Sequence, residues 1–429
     1  MTLYRTFLLG TLACASLPAQ VVPSTQPDVA PVTAGTPLTL EQALAMARAN
    51  SPVLAGASAA TAQARAGIST ARAYSNPLVE VYGGRQYSRP IATPGVPGLL
   101  QHYGASQTIE IPHERATRRR AAELTTTASQ FAQQGTFLSV AADTQHAFYD
   151  ALKRREEIAH AQENFKLVED LLRRVTVEVN VGEKGRLELT RATAELARAQ
   201  FAVTSAQLQY AQAIAQLRAT LAAPADQSLE PVGTLEARIS LPALPELRTA
   251  VLRAHPALKE ADTLRSAASA SLENERALRV PRPVAFAEFE NQPDLRYWRT
   301  GVSIPLPLFD RRRGQVEAAK AQVQRADAVS QQRTVELNAA LERAYEQYQL
   351  ADQQTTTLEG EPLRAAESAV EAARAAYKFG ERGIVEVLDA QRVLQGVRGD
   401  LLDSQFARQA ALVDLEELGA VNAPQGTRP

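Results

Sequence analysis

Apolar residues along this chain recur mostly at steps of three and four, the spacing of one helix face, and in two places give way to short stretches where apolar and polar residues alternate. The longest helical stretch runs from His113 to Val181 with Gly135 as its sole breaker, and at 1.5 Å per residue such a rod reaches about 100 Å. Its return, residues 186–223, contains neither Gly nor Pro. There Leu189, Leu196, Val203, Tyr210 and Leu217 recur every seven residues, a coiled-coil period, with Ile214 and Leu221 beside them. Phe165, Val168, Leu172 and Val175 keep the matching rhythm in the outgoing rod, and Leu394, Val397 and Leu401 keep it near the C-terminus. The alternating stretches are LVEVYGGRQY (78–87), ASQTIEI (105–111), PVAFAEFE (283–290) and RYWRTGVSIPL (296–306). Each is near the ~9–11 residues that a tilted strand needs to cross a bilayer. Four strands of a soluble sheet would alternate in the same way, so the pattern alone leaves both readings open.

The chain is written twice. A shift of 204 sets Leu40 on Leu244, Pro52 on Pro256, Leu54 on Leu258 and Pro77 on Pro281. A shift of 197 sets Gly104 on Gly301, and one of 198 sets Gly182, Glu183, Gly185 and Glu188 on Gly380, Glu381, Gly383 and Glu386. Matched Pro and Gly residues mark element boundaries, so the repeat is architectural. Each half reads as a helix (39–74, with Thr39 as N-cap, and 243–279), a strand hairpin, a long helix, a tight Gly turn and a returning helix. The second rod, 315–379, is broken near Gly360 and Pro362. The expected organisation is a signal peptide (1–19), an extended segment (20–37), a first repeat (38–223, hairpin about 78–111), a linker (224–242), a second repeat (243–420, hairpin about 283–308) and a tail (421–429).

Composition narrows the function. Of 429 residues, 46 are Lys or Arg and 47 Asp or Glu; the net charge of -1 argues against a nucleic-acid partner. Aromatics at 5% beside abundant Ala, Gln, Glu, Arg and Leu suit long helices packed through small side chains. The single cysteine, Cys14, removes disulfides, thiolate nucleophiles and Cys-based metal sites from the rest of the chain. His102, His113, His146, His160 and His255 show no metal-ligand spacing, and the hydrolase, NTPase and dinucleotide fingerprints are missing, so neither metal, cofactor nor enzymatic activity is expected. Arg5, the apolar run Phe7–Leu17 and the small Ala19 read as an export signal. Cys14 is also a candidate lipidation site, although Thr11, Leu12 and Ala13 match a lipobox poorly. No later run of 18 apolar residues occurs, so a membrane location would come through strands.

The opening LTLEQALAMARANSPVL, the Asn76-Pro77 pair before the first hairpin, the two-fold repeat and the string YKFGERGIVEVLDAQRVL from Tyr377 to Leu394 together resemble the TolC-type outer-membrane efflux proteins, in particular the subunits of heavy-metal cation (RND-type) efflux systems. The resemblance spans nearly all of the mature chain. It implies a mostly α fold with a small β part: a homotrimer in which each chain gives four strands to one transmembrane β-barrel and its helices to a long periplasmic coiled-coil barrel. It also implies partners, namely a periplasmic adaptor, an inner-membrane RND-type pump and outer-membrane lipid. Independently, four strands cannot close a barrel, and an open edge is not tolerated in lipid, so a membrane reading requires oligomers. Protein secretion or multidrug export through the same kind of duct, and an exported coiled-coil scaffold without a pore, remain alternatives.

The resemblance also assigns residues. Glu386 and Asp389, at i and i+3, correspond to carboxylates that ring the pore at its periplasmic end; the family has aspartate at both, so Glu386 is a conservative departure. Such rings favour cations over anions. Tyr377 and Arg382 match residues that latch this coil to its neighbour in the closed state. The turns VGEKG (Gly182, Glu183, Lys184, Gly185) and FGERG (Gly380, Glu381, Gly383) correspond to the adaptor-contact tips, although helix reversal by itself explains their glycines. Arg118 to Arg120 and Arg311 to Arg313 follow the hairpins, where headgroups, inter-chain carboxylates or solvent could face them.

Overall fold

The computed structural model describes residues 36–86, 98–236 and 238–421. The signal segment, Cys14 and the tail beyond 421 lie outside the described residues.

Each repeat opens with two helices where the sequence pattern suggests one. In the first, α1 (Leu40–Asn50) starts at Thr39, whose hydroxyl accepts from the Gln42 amide while the Gln42 side chain accepts from the Thr39 amide, a reciprocal capping box. Ser51 then turns to ψ 117° ahead of Pro52, which begins α2 (Pro52–Arg72). The residue before proline is pushed out of helical ψ by the pyrrolidine ring, and that clash divides the helix. The second repeat does the same, with His255 before Pro256, between α5 (Leu244–Ala254) and α6 (Pro256–Ala277).

Four antiparallel strands form one sheet in the order β2 (Leu78–Gln86), β3 (Gly98–Thr108), β5 (Val284–Asn291) and β6 (Arg296–Ser303). Strand β3 begins well before residue 105, the start suggested by alternation. The two hairpins join through β3 and β5, which pair from Gln101↔Asn291 to Thr108↔Val284. The registers put Val79, Val81, Tyr103, Phe289, Trp298 and Val302 on one face, with Arg85, Gln101, Asn291 and Arg296 at its hairpin end, and Glu80, Tyr82, His102, Glu288, Glu290, Tyr297 and Arg299 on the other, with Leu78 and Phe286 at its rod end. The polar face is internally bonded: Tyr82 stacks on His102 at 4.2 Å, His102 meets Glu290 at 3.4 Å, Tyr297 donates to Glu290 at 2.5 Å, and Arg299 to Glu288 at 2.6 Å. The apolar face is exposed in the single chain, with Trp298 74% accessible.

From the sheet run the rods. In the first repeat α3 (Pro112–Asn180) is one helix of 69 residues, uninterrupted by Gly135, and α4 (Arg186–Thr220) returns alongside it. In the second, α7 (Arg313–Glu359) and α8 (Glu361–Lys378) share the outward course, divided at Gly360, and α9 (Ile384–Glu417) returns. Two corresponding apolar nodes lie midway along the outgoing rods, where the returning helices end: Phe148, Leu152, Leu217 and Leu221 in the first repeat, and Leu341, Tyr348, Leu412 and Leu415 in the second. A short parallel pairing of β1 (Thr36–Leu38) with β4 (Leu229–Pro231) ties the linker to the start of the first repeat. Below the sheet, Glu114 is 1% exposed and held by Arg282 from the second repeat (2.5 and 2.8 Å) and by Arg118. Arg118 also bonds Glu110 and the carbonyls of Ala71 and Ala73, and Arg312 bonds Glu275. These arginines therefore meet carboxylates of their own chain.

Candidate functional site at the rod tips

Both rods reverse by the same backbone solution. Gly182 (φ 83°) and Gly380 (φ 73°) adopt the left-handed conformation that costs glycine nothing. The Glu183 and Lys184 amides donate back to the Glu178 carbonyl, and the Glu381 and Arg382 amides to the Ala376 carbonyl. Gly185 and Gly383 follow in extended conformation and start α4 and α9. All seven tip residues singled out from sequence thus sit on two superposable turns.

One apolar cluster of Val175, Ala192, Tyr377, Ile384, Val387 and Leu388 fastens these turns to each other. Within it Tyr377, 6% exposed, donates from its hydroxyl to Glu178 Oε2 at 2.5 Å, so the tie runs from the second repeat to α3 of the first within one chain. Burial, followed by the Glu178 carboxylate, pushes the Tyr377 phenol well above its ordinary value and keeps it a donor. Lys184 lies over the same ring, 5.4 Å from its centroid. Arg382 is exposed, and its side chain forms no bond within the chain's described residues.

Glu386 and Asp389 are both exposed on the first turns of α9. Asp389 is not a free charge: Arg392 reaches it at 3.0 Å and Glu195 of α4 at 2.9 Å. Sequence reading missed Glu178, Glu195 and Arg392. Arg392 follows Asp389 by three residues, a spacing that does signal an ion pair; nothing local marks the two glutamates, which the fold brings in from the other repeat. Among the described residues no group of three His, Cys, Asp or Glu side chains could hold a metal ion, and no helix is long and apolar enough to cross a membrane.

A sheet with one largely apolar and one largely polar face, set on rods far longer than any globular core requires, fits a membrane-anchored transport duct. A model of the outer membrane efflux protein family matches residues 43–223 and 247–420, one match on each repeat, and the chain belongs to that family. It is an outer-membrane efflux channel with a periplasmic helical part, a duct and not an enzyme. The chain is 28% identical over 371 residues to the cobalt-zinc-cadmium resistance protein CzcC of Cupriavidus metallidurans, covering 85% of this chain and 86% of that one. Its fold is similar to that of crystalline CusC (TM-score 0.76, 19% identity, 88% and 91% of the two chains) and of the outer membrane protein VceC of Vibrio cholerae (0.76, 17%, 89% and 96%).

Proposed function

We propose that the chain works as a homotrimeric exit duct of a tripartite efflux pump, passing metal cations outward from the periplasm or the pump. The duct rests on one observation, the two-faced four-stranded sheet whose β2 and β6 edges are free. Three copies supply twelve strands, remove every edge and turn the apolar faces to lipid, the arrangement a bilayer demands. The Gly-turn tips meet a periplasmic adaptor, an RND-type inner-membrane pump supplies the energy, and Glu386 with Asp389 forms an acidic ring at the periplasmic entrance that favours cations. Tyr377 and Arg382 hold that entrance closed. The cargo assignment draws on the likeness to CzcC.

Planar-bilayer recordings of the purified protein test the duct and its ring together. Cation-selective channels are expected, with selectivity lost in Glu386→Gln/Asp389→Asn. Unchanged selectivity would move the filter elsewhere, and no channels from an intact trimer would favour a scaffold. Deletion of the gene is expected to lower tolerance to zinc, cobalt and cadmium; a fall in drug tolerance alone would overturn the cargo.

A further inference from the structure

Backbone hydrogen bonds in the sheet show which way each edge residue points. The Gln292 amide donates to the Leu295 carbonyl, and this pair continues the β5–β6 register, so the odd-numbered residues of β6 direct their amides and carbonyls at β5. Arg296, Trp298, Thr300 and Val302 therefore direct theirs at the free edge. The Ile109 amide donates to the Pro283 carbonyl, which fixes the β3–β5 ladder in the same way and leaves Val79, Val81, Gly83 and Arg85 pointing out from the free edge of β2. Both sets lie on the same, largely apolar face, as directly opposed residues must.

The alternation does not stop where β6 ends, at Ser303. Ile304, Leu306 and Leu308 take the apolar places, 54%, 70% and 64% exposed, and Pro305 and Pro307 take the others. The two prolines fall at the places that would face β5, and without an N–H they cannot lengthen the hairpin. Ile304 and Leu306 keep their amides on the free side, and neither amide has a partner among the described residues. A bond from the Leu308 amide to the Leu306 carbonyl then ends the run. This extension is closed toward its own chain and open toward another.

The stagger of the strands shows what meets it. At the hairpin end β2 and β3 pair on past Gln101, as far as Gln86 and Gly98; at the rod end β3, β5 and β6 pair on past Leu78↔Ser106, as far as Thr108, Val284 and Ser303. The strands thus step toward the rods from β2 to β6, and a closed barrel continues that step around the ring. Four strands measure about 19 Å across, which at a tilt of about 35–45° is about 13–19 Å along the strand, or roughly four to six residues. A step of four sets Ile304 opposite Val79 of the next copy, and a step of six sets it opposite Val81. With no step, Val79 meets Thr300 instead.

We infer that residues 304–306 are an inter-copy strand, a proline-guarded extension of β6 that pairs with the rod end of β2 in a second copy of this chain. The inference rests on the duct reading, which by itself leaves this register open.

The test places paired cysteines in the full-length protein in lipid, Ile304→Cys with Val79→Cys and, separately, with Val81→Cys; the single variants control for Cys14. On oxidation one of these pairs should link the chains into a reducible covalent trimer, and Thr300→Cys with Val79→Cys should not. Linking of the Thr300 pair, or of none of the three within an intact trimer, would overturn the extension and leave the duct standing. A wild-type protein that never forms trimers would overturn both. Heat dissociation of the trimer is the second readout, and it serves if a cysteine pair does not assemble. Ile304→Pro, which removes a free-side amide, should lower the dissociation temperature by about 5 °C, and Pro305→Ala, which alters only the side facing β5, by much less. Equal shifts would overturn the extension.

Discussion

The first repeat travels from sheet to tip in a single helix of 69 residues, whereas the second covers the same course in two, α7 of 47 and α8 of 18, divided at Gly360 with Pro362 just beyond. The first is also buttressed at its start, where Glu114 is clamped by Arg118 and Arg282. The equivalent position in the second repeat is Arg311, which is exposed. At the tips the asymmetry reverses: Tyr377 carries the bond to Glu178, and its counterpart in the first repeat is Val179, which cannot. The two halves thus follow one plan, one of them continuous and braced, the other segmented and tied down by a single hydroxyl.

The largest expected effect tests the brace. Glu114→Gln removes a buried carboxylate from two arginines that are themselves partly exposed, with Arg118 keeping Glu110, and should cost about 2–3 kcal/mol. It should be read as a drop in the heat stability of the assembled protein, while reversal of the exposed Arg311 should leave that stability nearly unchanged.

Next comes the seam where the halves meet, α3 against α9. His146 bonds Asp414 at 2.9 Å, and that contact raises its pKa against the opposing effect of burial, while burial alone pushes Glu416 up to about 7. Both groups bind a proton more tightly folded than unfolded. Their contribution is full below the unfolded values, about 4.5 for the carboxyl and 6.5 for the imidazole, and is lost as pH rises through the folded ones. Stability should therefore fall by about 2 kcal/mol between pH 5 and 8, and Glu416→Gln should flatten most of that slope. A stability that rises with pH would contradict the seam's electrostatics.

Smaller still, Gly182→Ala and Gly380→Ala should each cost about 1–2 kcal/mol, because both force a Cβ into left-handed backbone. Equal losses would mark the tips as equivalent in backbone, and a larger loss of efflux for Gly380→Ala would separate them in function. Tyr377→Phe should weaken the tie by about 1 kcal/mol, visible as an approximately fivefold rise in channel opening with little change in Tm.

Much of this was legible in the sequence because Pro and Gly sit at the joints: the repeat, the hairpins and both tips follow from them. Pro52 and Pro256 were equally visible, yet the apolar period runs across them, so each opening helix pair read as one. In α4 the seven-residue period is present, but it is one half of a seam. The residues buried most tightly alongside it are Ala192, Ala199, Ala206 and Ala213, three positions on from the larger side chains. Alanine is too common here to stand out, although it is what lets the helices approach closely. Strand β3 was cut short because Gly98, His102 and Gly104 weaken strand propensity; Gly104 leaves room for the His102 ring, whose Nε2 would lie 3.0 Å from a methyl group built there. Glu178 and Glu195 became partners of Tyr377 and Arg392 only through contact between the repeats, which no local pattern encodes.

The pairing of β3 with β5 also fixes a timetable. Gln101 and Asn291 are neighbours in the sheet but 190 positions apart in the chain, so the first hairpin has no partner until most of the polypeptide has been exported. Until then its edge is open, and an open edge cannot enter lipid. Insertion must wait for the second half and then for the copies that cover β2 and β6, and the hydrogen-bond ladder of the long α3 rod, which is local, has time to form first. A chain truncated after the first repeat should accordingly remain in the periplasm as a helical fragment, exposed to proteases and never part of the membrane.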